Sequence, residues 1–166
     1  MLADAVALSH KKKCCSGNLT ISDLTVRGEG QILADQCILQ DRAYWEATVE
    51  TLGGGMAIGV ASPSHTMGYP LTEGLSDGSS SWAWHAARVE AGDVIGVALD
   101  QADFPVRLRF YVNGAERADL RGPVTEATPI LELSGGGSKV KMNFGSAPFV
   151  HRQPGFEGLI RSRSLI

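Results

Sequence analysis

The chain has 166 residues, with 15 lysine and arginine residues, 18 aspartate and glutamate residues and a formal net charge of −3 at pH 7. This length supports one domain that buries about 70% of its unfolded surface, and it is too short for two ordinary domains. With this charge balance the chain has no overall positive field that would attract nucleic acid. No apolar run approaches membrane-spanning length, and the N-terminus lacks the basic and apolar regions of a secretory signal, so we expect no membrane partner.

The three cysteines, Cys14, Cys15 and Cys37, are an odd number, and the adjacent pair is poorly placed to form a bridge. We therefore expect reduced thiols and a cytoplasmic protein. The run Lys11–Lys13 beside two cysteines allows an alternative, which is membrane attachment through basic residues and palmitate. We favour a solvated tail, because charge runs near chain termini are common.

Segments of four to eight residues with alternating apolar side chains recur along the chain, separated by glycine-rich or polar turns. A period of two is typical of β-strands, and no window has the 3.6-residue period of an amphipathic helix. The predicted strands are Leu19–Val26, Gln31–Ala34, Tyr44–Leu52, Met56–Ala61, Ser81–His85, Asp93–Leu99, Leu108–Val112, Glu116–Leu120, Ile130–Leu133 and Lys139–Phe144. They predict an all-β fold, a two-sheet antiparallel β-sandwich with little helix. We expect residues 18–149 to form the domain, residues 1–17 to be an N-terminal tail or the lead-in to the first strand, and residues 150–166 to be a C-terminal tail.

The alternation within the strands also predicts which side chains form the core. In the strand that begins at Tyr44, one face carries Trp45, Ala47 and Val49, and the other carries Tyr44, Glu46, Thr48 and Glu50, as a half-buried strand requires. The predicted core is Trp45, Val49, Ile58, Val60, Trp82, Ile95, Val97, Leu99, Phe110, Val112, Val140, Met142 and Phe144. Asn113-Gly114 between two alternating segments predicts a type I′ hairpin turn, in which both central residues have positive φ.

Three sequence patterns are candidates for catalytic or metal sites. Ser76 lies in a G-x-S-x-G sequence, but that elbow needs a following helix and here a predicted strand follows. The four histidines, His10, His65, His85 and His151, have no metal-ligand spacing. Asp100 and Asp103 flank a turn, where aspartates commonly cap backbone donors. We therefore expect no catalytic residue, no metal and no cofactor.

Two groups of aromatic residues are candidates for ligand contact. Trp82 and Trp84 share one face of a predicted strand, and large aromatic side chains in that setting most often fill a core. Tyr69 is different, because it lies in the connection Ser62–Ser80, which is too long for a hairpin turn and is therefore a candidate binding loop.

The order of short sequence blocks along the chain resembles that of SPRY domains over about residues 18–149. The blocks are Tyr44-Trp45-Glu46, Gly59-Val60-Ala61, Ser81-Trp82, Gly92-Asp93-Val94-Ile95-Gly96-Val97 with Asp100, Phe110 with Asn113-Gly114, Pro129, and Asn143-Phe144-Gly145 with Pro148-Phe149. Seven spaced blocks in order are far more specific than any single motif. The resemblance implies a non-catalytic β-sandwich whose loops bind a protein or a short peptide.

Within that family, the Gly68-Tyr69 sequence followed by Ser81-Trp82-Ala83-Trp84 is most similar to the SPRY domains of SPRY and SOCS-box proteins. In those domains the tyrosine contributes to a pocket for an extended peptide, and this implies a ligand contact for Tyr69. The chain departs from that subfamily at Leu133-Ser134-Gly135-Gly136-Gly137, where the subfamily has a Val-Trp-Gly pocket segment. The same target peptide is therefore not expected.

The leading functional hypothesis is a monomeric module that binds a protein or peptide through loops at one end of the sandwich. The alternatives are a carbohydrate-binding sandwich and, less favoured, a hydrolase that uses the Ser76 loop. The predicted ligand site brings together three loops, with Tyr69 as its anchor, and consists of Thr66, Gly68, Tyr69, Asp41, Arg42, Gly135, Gly136 and Gly137. The competing interpretation of Tyr69 is that its ring only packs its own loop onto the sandwich.

Overall fold

The structure is a computed structural model that describes residues 5–14, 18–73 and 79–161. Ten strands are found in these residues, and all their pairings are antiparallel. They are β1 (Leu8–Cys14), β2 (Thr20–Ser22), β3 (Thr25–Ala34), β4 (Arg42–Thr51), β5 (Met56–Ala61), β6 (Ser81–His85), β7 (Val94–Asp100), β8 (Val106–Val112), β9 (Ala115–Gly122) and β10 (Thr128–Asn143). The predicted all-β sandwich is confirmed.

Two long strands, β3 and β10, run through both layers of the sandwich. The first part of β10 pairs with β5 and with the second part of β3, whereas its second part pairs with β4 and with the first part of β3. We call the layer that contains β6, β5, the first part of β10, the second part of β3 and β1 sheet A. The layer that contains β2, the first part of β3, the second part of β10, β4, β7, β8 and β9 is sheet B.

The core lies between the two sheets. Trp84 of sheet A packs on Phe110 of sheet B, with their ring centroids 5.7 Å apart. All thirteen residues predicted to be core are buried, so the predicted inward faces are correct. The turn between β8 and β9 has positive φ at both Asn113 (51°) and Gly114 (84°), as the type I′ assignment requires.

Glycine residues allow β3 and β10 to bend between the sheets. The sequence predicts two strands separated by a Gly135–Gly137 turn, but the structure has one strand, in which these three glycines have φ between 68° and 85°. Likewise, the predicted strand Leu19–Val26 is divided at Asp23, and its second half continues through Gly28 (φ 101°) into the predicted Gln31–Ala34 strand. The physical reason for the difference is that glycine with positive φ, although more common in turns, also allows a continuous strand to bend.

The outward face of β4 is covered at Tyr44 and Glu46, in contrast to the prediction, whereas Thr48 is half-buried and Glu50 is exposed as predicted. Tyr44 and Glu46 are each 1% exposed. The backbone N–H groups of Val150 and His151 donate to the Glu46 carboxylate at 2.8 Å, and the ring of Phe149 meets Tyr44 edge to face at 4.9 Å. Burial raises the pKa of the Tyr44 hydroxyl, which donates to Glu46 at 2.9 Å. The chain after Phe149 therefore buries this face of sheet B.

The described ends of the chain lie side by side. Arg161 donates from Nε to the Ala5 carbonyl at 3.1 Å and forms an ion pair with Asp35. Asp35 in turn pairs through its backbone N–H with the Ala7 carbonyl at 2.8 Å. Residues 5–14 and 150–161, which lie outside the predicted domain, thus pack against it.

The bend in β10 generates a prediction about two glycines that face each other. A Cβ atom on Gly53 would lie 1.8 Å from the carbonyl oxygen of Gly136, whereas a Cβ atom on Gly136 would have no atom within 4 Å. We expect Gly136→Ala to cost about 1–2 kcal/mol of unfolding free energy, through its positive φ alone. Gly53→Ala should cost about 3 kcal/mol or more, because backbone must move. Urea denaturation of both variants measures the difference, and equal losses would contradict this account of the bend.

Candidate functional site

The described part of the Ser62–Ser80 connection is folded against the outer face of sheet A. It makes one turn closed by His65 N–H to the Ser62 carbonyl at 3.0 Å, and a second closed by Tyr69 N–H to the Thr66 carbonyl at 3.1 Å. Two apolar side chains then fix the loop to the sheet: Leu71, which is 4% exposed, and Met67. They pack on a small cluster that consists of Ala57, Ala61, Ala83 and Ile130, with Leu33 at its side.

The buried side chain of Gln31 holds the loop backbone in place. Its Oε1 accepts from the Gly68 N–H at 2.9 Å and lies 3.1 Å from His65 Nε2. Its Nε2 donates to the Tyr69 carbonyl at 2.7 Å and to the Glu132 carboxylate at 2.5 Å. Gln31 is 3% exposed, and a buried amide whose donor and acceptor are both used fixes its partners in one geometry.

The side chain of Tyr69 projects into solvent from this fixed backbone. It is 67% exposed, while Met67 and Leu71 on either side are turned toward the sheet. The interpretation that the Tyr69 ring packs its own loop onto the sandwich is therefore wrong. The packing is done by its two apolar neighbours.

A row of residues crosses the outer face of sheet A beside the loop. The strand register places Gln31, Glu132, Ala57 and His85 next to one another on four successive strands. Neighbouring strands are about 4.8 Å apart, so this row is about 14 Å long. A cavity of about 230 Å³ lies along it and is lined by Gly55, Met56, Ala57, His85, Ala86, Ala87, Glu132 and Ser134. His85 Nε2 lies 3.3 Å from the Leu71 carbonyl and so connects the row to the loop.

The other predicted loops do not converge on Tyr69 as expected. Arg42 begins β4, whereas Thr51 ends it and contacts the Gly137 carbonyl through its hydroxyl at 3.2 Å. Ten extended residues span about 30 Å, so Asp41 and Arg42 lie at the opposite end of β4 from Gly135–Gly137. The Arg42 guanidinium is paired with Asp100 at 3.2 Å.

The three predicted glycines make a close approach within the chain. Gly135 lies against the main chain of Gly53 and Gly54, and a Cβ atom on Gly54 would be 2.1 Å from the Ser134 carbonyl oxygen. The close backbone contact that glycine permits is thus made between β10 and the Gly53–Gly55 turn. Ser134, just before these glycines, lines the cavity described above.

The structure shows the surroundings of some of the residues considered above for catalysis, metal binding or ligand contact. Ser76 lies outside the described residues. Asp100 accepts from the Ala102 N–H at 3.1 Å, which confirms that it caps the turn. Trp82 is 3% exposed, as expected of a core residue. Across the described part of the chain, no group of three or more His, Cys, Asp and Glu side chains is arranged to hold a metal ion.

A second cavity, of about 510 Å³, lies elsewhere. It is formed by the Gly145–Phe149 turn together with Arg152, Phe156, Glu157 and Gly158. Its two aromatic rings are already occupied, because Phe149 packs on Tyr44 and Phe156 stacks under the Arg109 guanidinium at 5.4 Å. We therefore regard it as a by-product of the packing of the C-terminal segment.

We call the surface formed by the Tyr69 loop and the row beside it the Tyr69 surface. Four of its residues are not in the predicted site: Gln31, Glu132, His65 and His85. Each occupies a polar position in an alternating strand or a loop, and such positions are usually solvent-facing without further meaning. Gln31 and Glu132 are 101 residues apart in sequence, so no local pattern indicates that they touch.

The architecture matches solved structures closely enough to identify the fold. The chain superposes on the crystal structure of the SPRY domain of human HERC1 with a TM-score of 0.62 at 18% sequence identity. The match covers 81% of this chain and 96% of the HERC1 domain. The chain has the SPRY fold. The PSpry domain of TRIM65 gives a similar match, with a TM-score of 0.60 at 13% identity over 83% of this chain and 91% of that domain. No family model and no curated protein matches the sequence.

The resemblance to SPRY domains predicted from the spaced sequence blocks is thus confirmed for the fold. The family blocks at Trp82, Phe110 and Phe144 are core residues here, and the Asn113-Gly114 block is a hairpin turn. Tyr69 and the row beside it lie outside these blocks. Within the described part of the chain, no helix has the length and apolar character that a membrane crossing requires.

The Gln31 contacts predict how the loop responds when that amide is removed. Gln31→Met keeps the side-chain length but leaves the Gly68 N–H and the Tyr69 carbonyl without a partner. We expect a loss of about 2 kcal/mol in unfolding free energy and faster hydrogen exchange at the Gly68 amide. Gln101→Met is the matched control, because Gln101 donates to the Ile38 and Gln40 carbonyls, outside the loop. Unchanged exchange at Gly68 in Gln31→Met would show that the loop is held by other contacts.

The environment of His65 predicts a pH dependence of stability. Burial lowers the pKa of His65, an effect that the nearby Glu132 carboxylate only partly opposes. As the pH falls below about 6.5, His65 therefore binds a proton more readily in the unfolded chain than in the folded protein. The folded protein loses stability below that pH and is unaffected by His65 above it. Urea unfolding at several pH values should show wild type losing stability relative to His65→Asn only on the acidic side. Parallel curves for the two proteins would contradict this.

Proposed function

We propose that the Tyr69 surface binds an extended segment of another protein and catalyses no reaction. The observation that carries the proposal is the contrast within one residue: the Tyr69 backbone is fixed by the buried Gln31, while the Tyr69 side chain is 67% exposed. A large apolar ring held in water costs free energy that a partner can recover by covering it.

The fixed backbone also makes Tyr69 suitable as an anchor. Association is opposed by the entropy of the groups that it immobilises, and a loop already held by Gln31, Met67 and Leu71 has little left to lose. Tyrosine adds a hydroxyl that can hydrogen-bond to a peptide backbone while its ring packs on a side chain. Thr66 and Gly68, both exposed, flank the ring on the same loop.

The fold supports this proposal, because SPRY domains are in general protein-interaction modules. In this chain the proposed surface consists of Thr66, Gly68 and Tyr69 with the row that leads past Glu132 to His85 and Ser134. Gly135–Gly137 lie at the end of that surface, next to Ser134. Asp41 and Arg42 are not included, since they lie at the far end of β4.

The test is a comparison of two exposed aromatic residues. Peptides are selected from a random peptide library displayed on phage against the wild-type protein, and the best binder is titrated against variants. Tyr69→Ala should weaken binding by about 2 kcal/mol or more, with the thermal melt barely moved. Phe104→Ala is the control, because Phe104 is 79% exposed and lies beside Arg107 and Arg121 of sheet B, whereas the loop lies on sheet A.

Tyr69→Phe separates the two parts of the side chain, since it keeps the ring and removes only the hydroxyl. Binding that falls in Tyr69→Ala and is largely kept in Tyr69→Phe assigns the contact to the ring. Wild-type affinity in both variants would remove Tyr69 from the site and overturn the proposal.

A further inference from the structure

We infer that the segment bound at the Tyr69 surface presents a lysine or arginine side chain to Glu132. This inference rests on the proposed function, because it names the chemistry of the ligand at the same site. It is carried by two observations: the charge of the sequence segments that build the surface, and the unpaired state of one carboxylate in it.

Two of the stretches of chain that build the surface contain no lysine and no arginine. Residues 55–87 supply β5, β6 and the loop between them, and residues 122–138 supply the first part of β10. The acidic residues in these stretches are Glu73, Asp77, Glu126 and Glu132. By contrast, the strands β8 and β9 of sheet B contain Arg107, Arg109, Arg117 and Arg121. The charged residues in the ranges 55–87 and 122–138 are thus all acidic.

Glu132 is the acidic residue in the middle of the row. It is half-buried, and among the residues whose side chains the structure describes, which do not include Lys11–Lys13, it takes part in no ion pair. Four other carboxylates, those of Asp35, Glu50, Asp100 and Asp119, each have a lysine or arginine partner. A partly desolvated carboxylate gains more from an incoming cation than one in bulk water does.

The neighbours of Glu132 orient its carboxylate and leave room for a cation. Its only hydrogen-bond donor among the described residues is the Gln31 amide, which is neutral and bonds to one carboxylate oxygen, Oε2. Burial lowers the pKa of His65, so the nearest imidazole is neutral at pH 7 and does not compensate the charge. The lysines of sheet A, Lys11–Lys13, belong to β1, which is separated from Glu132 by β3.

Tyr69 is close enough to Glu132 for one ligand side chain to meet both. The Gln31 Nε2 atom donates to both the Tyr69 carbonyl, at 2.7 Å, and Glu132 Oε2, at 2.5 Å. The Tyr69 carbonyl and the Glu132 carboxylate are therefore no farther apart than those two distances together. The aliphatic stem of a lysine or arginine can pack on the exposed ring while its charged end reaches the carboxylate.

The experiment uses ten-residue peptide pools in which the central position is fixed as Lys, Arg, Asp, Glu or Ala and the others are random. We expect wild type to bind the Lys and Arg pools and to bind the Asp and Glu pools at least about tenfold more weakly. The best binder from the Lys pool is then made with acetyl-lysine at that position, which removes the charge without any change to the protein. Its affinity should fall by about tenfold or more.

Two variants with matched chemistry complete the test. Glu132→Gln keeps an acceptor for Gln31 and removes only the charge, and it should lower the affinity for the Lys peptide by about tenfold or more, as acetylation does. Glu126→Gln removes one charge from the same basic-free stretch at an exposed position and should leave the affinity unchanged. Thermal melts confirm that both variants are folded.

The outcomes separate this inference from the proposed function. Acidic or apolar peptides that bind in a Tyr69-dependent way, with no effect of Glu132→Gln, would overturn the inference and leave the proposed function standing. Lys peptides that bind equally to wild type, Tyr69→Ala and Glu132→Gln would show non-specific attraction and overturn both. Both are also overturned when no pool binds.

Discussion

The main-chain contact between the Gly53–Gly54 turn and Ser134–Gly136 is the constraint on which the architecture depends. Because β3 and β10 belong to both sheets, the direction of their bend fixes how sheet A faces sheet B and therefore how the core side chains interlock. Gly54 admits the Ser134 carbonyl oxygen to a place that any side chain would fill. Interiors are close-packed, so a shift of this bend would be felt at pairs such as Trp84 and Phe110.

The proposed binding surface depends on a second and smaller feature, the buried amide of Gln31. Sheet B carries several ion pairs in solvent, such as Arg107 with Asp119 at 2.7 Å, but exposed pairs of this kind contribute little to stability. Gln31 by contrast joins a strand, a loop and a carboxylate at a site that is closed to water. One neutral side chain thus determines both where the Tyr69 ring stands and how Glu132 is oriented, which links the shape of the surface to its charge.

Local sequence patterns were sufficient for the all-β fold, the inward faces and the Asn113-Gly114 turn, because each of these depends on residues that are close in sequence. They did not predict β1 or the continuous course of β3 and β10. They were insufficient where distant segments meet. The contact of Gln31 with Glu132 joins β3 to β10, and the cover over Tyr44 and Glu46 comes from residues more than a hundred positions later. The glycines of β10 predict a turn, because a glycine sequence does not distinguish a strand that bends from a chain that reverses its direction. Tyr69 stands out in the sequence because its loop is long. The loops expected beside it lie apart because of the length of β4, and the alternating pattern does not predict that distance.

The contact of Arg161 with Ala5 brings the two described ends of the chain together at one place on the sandwich. A fold whose ends adjoin can be interrupted at an exposed turn and rejoined at its old termini with a short linker, with its strand pairings intact. The Asn113-Gly114 hairpin, with both residues exposed, is such a turn. Because its ends adjoin, the domain can also be inserted into a loop of another protein, where it would separate the two ends of that loop only slightly.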